Sequence, residues 1–239
     1  MDDAAVAEAA AGRAAALLTA LRADNPPDVG ALADAEANAA ILGMLADLRP
    51  RDAVLSEESP DDPARPQADR VWIVDPLDGT REYAAGVPEW AVHVALWERG
   101  AGITAAAVAL PHRVHVRGDL AVPPTRSDLR IVISASRPPD GVADLAERVG
   151  ARLVPMGSAG VKTMAVLRGD ADAYFHTGGQ WEWDSAAPVG VAVAAGLHAS
   201  RVDGSPLRYN QPRPYLPDLL VCRPELADRL LTAWARRAG

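Results

Sequence analysis

The stretch Val71-Trp72-Ile73-Val74-Asp75-Pro76-Leu77-Asp78-Gly79-Thr80-Arg81 constrains this chain more than any other. Four apolar, mostly β-branched residues run directly into an acid, the pattern of a strand buried on both faces that ends in a polar loop. Pro76 has no N–H to donate and is expected to stop the ladder. Asp75 and Asp78 then sit on a stiff loop at the carboxyl end of a strand, where open α/β sheets place their ligands. Two carboxylates held close repel each other unless a cation lies between them, and for oxygen ligands alone the fitting cation is Mg²⁺. Gly79 allows a ligand close to the backbone, and Thr80 and Arg81 open a helix whose free N–H groups suit phosphate. Asp-Pro-x-Asp-Gly also suits a type I turn, and these residues alone do not separate the two readings.

A second stretch upstream tips the balance. Ala53-Val54-Leu55-Ser56-Glu57-Glu58-Ser59 is another short apolar run ending in adjacent acids. Two strands that each end in acids are hard to explain as turns alone. The proline- and charge-rich segment between them, Asp61 to Gln67, is expected to be a loop closing a hairpin whose arms carry Glu57 and Asp75.

Around these runs the chain reads as helices over Ala4–Leu21 and Ala31–Leu48, then strands over 91–97, 103–110 and 114–116. The proline-containing segment Ala121 to Asp128 is the expected boundary between an N-terminal α+β half, residues 1–123, and a C-terminal α/β half, residues 124–239. Strands at 129–134, 152–155, 171–175 and 218–221 alternate there with helices at 141–149, 158–167, 185–196 and 226–236, so a layered α/β arrangement is expected. Asp184 precedes Ser185-Ala186-Ala187-Pro188 and reads as a helix cap. His93, in an apolar run, reads as a core histidine.

The chain has 239 residues and a net charge of -8, which argues against a nucleic-acid polymer as partner. A small phosphorylated substrate stays open, because bound metals reverse the local sign. Cys222 is the one cysteine, so an internal disulfide and a cysteine-based zinc site are excluded, and it reads as a small buried residue. The N-terminus is acidic, and no apolar run nears the roughly 18 residues of a membrane span, so a cytoplasmic protein with no membrane partner is expected.

Leu55-Ser56-Glu57-Glu58-Ser59, Trp72 through Thr80, and Trp183-Asp184-Ser185-Ala186-Ala187 resemble the three signatures of the inositol monophosphatase-like superfamily of Mg²⁺-dependent, Li⁺-sensitive phosphatases. The resemblance runs from about Asp34 to about Val221. It implies a layered αβαβα sandwich and a possible homodimer. It also implies a site of two or three Mg²⁺ held by Glu57, Asp75, the Leu77 carbonyl, Asp78 and Asp184. Thr80, with Glu58 and Asp34 behind it, would orient the attacking water. The family often carries a lysine shortly before the second helix, and Asn25 to Gly30 has none.

Substrate contacts follow from the same resemblance. Gly79, Thr80, Gly157 and Ser158 would meet the substrate, and Lys162, the chain's single lysine, or Arg137 would neutralise a second phosphate. Thr177 stands where inositol phosphatases tend to place an acid. The wording Gly178 to Asp184 and Asp203 to Asn210 is similar to the bacterial CysQ branch, which removes the 3′-phosphate from 3′-phosphoadenosine 5′-phosphate, a by-product of sulfate assimilation. Trp181 or Tyr209 would either stack on adenine or pack in the core. An inositol or fructose phosphatase, or a non-catalytic sensor of a phosphorylated metabolite, are the competing expectations.

Overall fold

The computed structural model describes residues 1–24, 28–116 and 128–236. Two long helices open the chain, α1 (Asp3–Asp24) and α2 (Val29–Leu48). The first sheet follows, with β1 (Ala53–Ser56), β2 (Arg70–Asp78), β3 (Ala91–Glu98), β4 (Gly102–Leu110) and β5 (Arg113–Val116) in that spatial order. A short helix α3 (Thr80–Ala84) lies between β2 and β3. The rest comprises β6 (Arg130–Ser134), α4 (Val142–Arg148), β7 (Arg152–Met156), α5 (Ala159–Arg168), β8 (Ala173–Trp181), α6 (Glu182–Ala194), β9 (His198–Ser200), β10 (Tyr215–Cys222) and α7 (Ala227–Ala235). The second sheet is mixed, in the order β7-β6-β8-β10-β9. Of the expected boundary segment only Asp128 lies within the described residues.

Strand alternation builds the layers. In β2, Trp72 and Val74 pack with α1 and α2, while Val71 and Ile73 face the opposite way. That opposite face packs against α5 and α6 through Met164, Val166, Ala187 and Val191, and the far side of the same pair meets Tyr174, Leu219 and Val221 of the second sheet. Phe175, Leu220 and Cys222 alternate onto the outer face, against Leu145 of α4 and Leu230 of α7. The sequence of layers is α1α2, sheet, α5α6, sheet, α4α7: an αβαβα sandwich. The alanines of α1 serve this arrangement, since Ala7, Ala10, Ala11 and Ala14 are buried and let the helix lie close on the sheet.

Several expectations need correction. β1 and β2 are parallel neighbours, with Ser56 opposite Val74, so the segment between them is a crossover and not a hairpin loop. A short 3₁₀ turn at Arg65–Gln67 lies inside it. Parallel pairing is what brings Glu57 beside Asp75, since a hairpin would put the two strands' carboxyl ends at opposite edges. Pro76 does not end β2 either. Asp75 pairs with His93 and Asp78 with Ala91, so three steps on β2 match two on β3. The proline sits in a bulge, where a ladder bond is not required. As helices, α1 and α2 are long and apolar enough in composition to cross a membrane, which counting uninterrupted apolar residues does not detect. Here they lay buried faces on the first sheet.

Candidate active site

The bulge in β2 decides the site. Residues three apart on a regular strand point to opposite faces. The extra residue turns Asp75 and Asp78 to one face, that of their partners His93 and Ala91, which looks toward α5 and α6. Helix α6 begins at Glu182 and carries Asp184 as its third residue, so Asp184 does not itself occupy the cap position. Its Oδ2 instead accepts the Trp181 N–H at 2.5 Å, an acid reaching back over the first turn. The helix N-terminus thus delivers the third acid to the first two. One carboxylate oxygen from each of Asp75, Asp78 and Asp184 lies within 4.8 Å of the others, a group suited to a metal ion.

The electrostatics point the same way. Asp75 is buried, and burial first, then repulsion from Glu57, Asp78 and Asp184, pushes its carboxyl well above the usual range. Glu57 rises to about 7 through lost hydration, then through Asp184 and Asp34. Asp184 also rises to about 7, from burial and then Asp78. Burial and mutual repulsion thus make Asp75, Glu57 and Asp184 favour holding protons over carrying charge. Oxygen donors in this state fit a hard divalent cation, which would replace those protons.

A cleft of about 330 Å³ opens over the acids. Glu57, Asp78, Gly79, Thr80, Arg137, Gly157, Ser158, Lys162 and Asp184 all line it, so nine of the expected site residues share one cavity. Asp75 lies beneath. The Thr80 hydroxyl is 3.1 Å from the Leu77 carbonyl, to which it donates, and 3.5 Å from Asp34 Oδ1. Asp34, within reach of the Thr80 hydroxyl, is raised to about 7 by burial and then by the nearby Glu58.

Other expected contacts are already engaged. The Ser158 hydroxyl donates to Asp78 Oδ2, and the Gly160 N–H joins it at 2.8 Å, so the start of α5 holds a metal acid. The Gly157 N–H donates to Glu89. Gly79 has φ +94°, and a Cβ there would stand 2.7 Å from the Glu89 carbonyl. Its glycine is therefore demanded by this chain's own packing as well as by ligand approach. Lys162 is buried, with its ammonium 2.7 Å from the Ser158 carbonyl and 5.2 Å from the centre of the Tyr174 ring. The Arg137 guanidinium is exposed at the rim. Tyr209 is buried beside Ser185 and packs in the core, whereas Trp181 is exposed and stacks on Trp183, and neither lines the cleft.

Sequence reasoning missed Ser134, Ser136, Tyr174, His176 and Gln180, which also line the cleft. Tyr174 and His176 alternate with the outward Phe175 on β8, a strand that runs to Trp181. The period-two signal there was interrupted by Gly178-Gly179, both at positive φ. A smaller cavity of about 220 Å³ adjoins the cleft and shares Arg137 and His176 with it.

Comparison with known proteins places this geometry among relatives. The profile described as the inositol monophosphatase family matches residues 4–237. A Mycobacterium bovis protein named 3′-phosphoadenosine 5′-phosphate phosphatase is 55% identical over 227 residues, covering 89% of this chain and 84% of the relative. An Escherichia coli protein named 3′(2′),5′-bisphosphate nucleotidase CysQ is 32% identical over 210 residues, covering 82% and 84%. The crystal structure of CysQ from Bacteroides thetaiotaomicron superposes with a TM-score of 0.79 at 28% identity, covering 92% of this chain and 97% of that one.

Proposed function

The chain belongs to the inositol monophosphatase family, and from that premise we propose that it is a Mg²⁺-dependent phosphatase that removes the 3′-phosphate of 3′-phosphoadenosine 5′-phosphate to leave AMP. The observation that carries the reading is the cleft that joins the acid cluster to a buried lysine. Relatives named for this substrate, at 55% and 32% identity, support it. In a cell that assimilates sulfate, such an enzyme removes a by-product of the pathway. We place it in the cytoplasm, where the buried free thiol of Cys222 suits a reducing compartment.

Glu57, Asp75, Asp78, Asp184 and the Leu77 carbonyl would hold the cations. Bound there, two or three Mg²⁺ supply Lewis acidity that makes water a nucleophile near neutral pH and offsets charge on the phosphoryl oxygens. The chain supplies the positioning. Thr80, with Asp34 behind its hydroxyl, orients the attacking water. The Gly160 N–H at the start of α5 and the Ser158 hydroxyl hold Asp78 at its angle. Lys162 meets the phosphate that does not react, and Arg137 stands at the rim on the same side. No protein nucleophile is required.

The deciding test compares kcat/KM of the purified enzyme on 3′-phosphoadenosine 5′-phosphate, inositol 1-phosphate and fructose 1,6-bisphosphate with Mg²⁺ present. The reading expects the nucleotide to be preferred. A preference for either of the others would replace it, and no hydrolysis of any would favour a non-catalytic sensor. Li⁺ is expected to inhibit by competing for a Mg²⁺ position.

A further inference from the structure

Beneath the acid loop lies a side chain that this mechanism does not use. His93 is fully buried in the middle of β3, on the side of Ala91 and Ala95 that packs toward α5 and α6. Its Nδ1 is 3.1 Å from the carbonyl oxygen of Trp183. A carbonyl only accepts, so Nδ1 carries the proton and donates. The same ring lies 3.8 Å from Asp75 Oδ2 and 3.5 Å from Asp78 Oδ2. One imidazole therefore touches both acids of β2 and the backbone of the residue just before Asp184.

The ring has no room to shift. Gly160, at the start of α5, packs directly on Nε2, and a Cβ there would overlap the ring and stand 2.8 Å from the Ala91 Cβ. The three acids come from elements on both sides of this seam and repel one another across it. A donor that grips the first turn of α6 from β3 opposes that repulsion at the point where it acts.

We propose that His93 is the positioning residue that sets the gap between the Asp75–Asp78 pair and Asp184, holding the three carboxylates at cation-binding distance. A group behind the ligands that fixes their spacing governs affinity for the ion as strongly as many ligands do. The proposal rests on the cation reading given above.

The test titrates Mg²⁺ alone, by calorimetry, into the full chain and two variants, with activity against Mg²⁺ concentration as a second readout. His93→Leu fills most of the space and cannot donate to Trp183, and should weaken Mg²⁺ binding about ten- to a hundredfold. The Mg²⁺ needed for half-maximal activity should rise in step, while substrate KM at saturating Mg²⁺ holds. His93→Asn places an N–H near the position of Nδ1 and should bind Mg²⁺ close to wild type. Unchanged affinity in His93→Leu overturns the proposal, and so does an equal loss in both variants, which would assign the effect to ring volume. Should His93→Leu not fold, as judged by melting without divalent ions, weak binding by folded His93→Asn is enough to overturn it. A wild-type chain that takes up no Mg²⁺ would instead sink the cation reading itself.

Discussion

Asp75 is buried beside Glu57, Asp78 and Asp184 and is costly to keep charged, and that crowding gives the first expected outcome. Asp75→Asn or Asp78→Asn should lower kcat at least about a thousandfold, in the range of a lost catalytic group, because a cation position loses its charge. The fold should survive, since the amide removes a repulsion, and melting without divalent ions should shift up. Activity near wild type in either variant would contradict the metal assignment. Thr80→Ala removes a hydroxyl poised between Leu77 and Asp34. It should cost about 10²- to 10⁴-fold in kcat with KM held, the range of a positioned proton-handling group. Lys162 gives a different signature. Lys162→Met keeps the buried stem against Tyr174 and removes the charge. It should lower kcat/KM for 3′-phosphoadenosine 5′-phosphate by about one to two decades, the worth of a charge-assisted contact, and spare inositol 1-phosphate. Equal losses on both substrates would return Lys162 to the common site or the fold.

The bulge of β2 and the start of α5 matter as units, because each turns a local irregularity into an aimed side chain. Gly160 is the tightest point between them. Gly160→Ala is compatible with a helix but drives a methyl into His93 and toward Ala91. Overpacking of this kind costs about 1–3 kcal/mol, and thermal unfolding should report it. The same substitution displaces the Gly160 N–H from Asp78 and should reduce activity more than the melting shift alone explains. A variant that melts and turns over like wild type would show that α5 can retreat from the sheet at no cost. Arg65 is a second joint. Its buried guanidinium donates to Asp61 and, from within the β1–β2 crossover, to Asn210 and the Gln211 carbonyl. Glu182, at the head of α6, receives the N–H groups of Asn210 and Gln211 at 2.6 and 2.9 Å. These contacts tie the crossover that carries Glu57 to the helix that carries Asp184.

Across the layers, the protein stores its acids against their own repulsion, and pH should expose this. Glu57, Asp34 and Asp184 have folded values near 7, against about 4 for the unfolded chain. The folded state binds more protons between those values, so without divalent ions stability is fullest below about pH 4 and falls as pH rises through about 7. The rise in Tm on adding Mg²⁺ should therefore grow from pH 5 to pH 8, because the ion takes the place of the protons. A Tm gain independent of pH would show that the ion binds away from these carboxylates. The same acids mark the division between what was local and what was not. Residue order alone determined that Glu57 follows a short strand, that the acids Asp75 and Asp78 lie at the carboxyl end of a buried strand, and that Asp184 lies in the first turn of a helix, because apolar runs and helix starts are written over a few neighbouring positions. Family motifs added the expected ligand set, of which Asp75, Asp78 and Asp184 lie together. Residue order did not reveal that β1 runs parallel to β2, that Pro76 sits in a bulge, or that His93 joins both acids to Trp183. Only the tertiary structure decided these, because strand direction, bulge and seam are settled by which distant segments share a core, and contacts across dozens of residues leave no periodic trace in the chain.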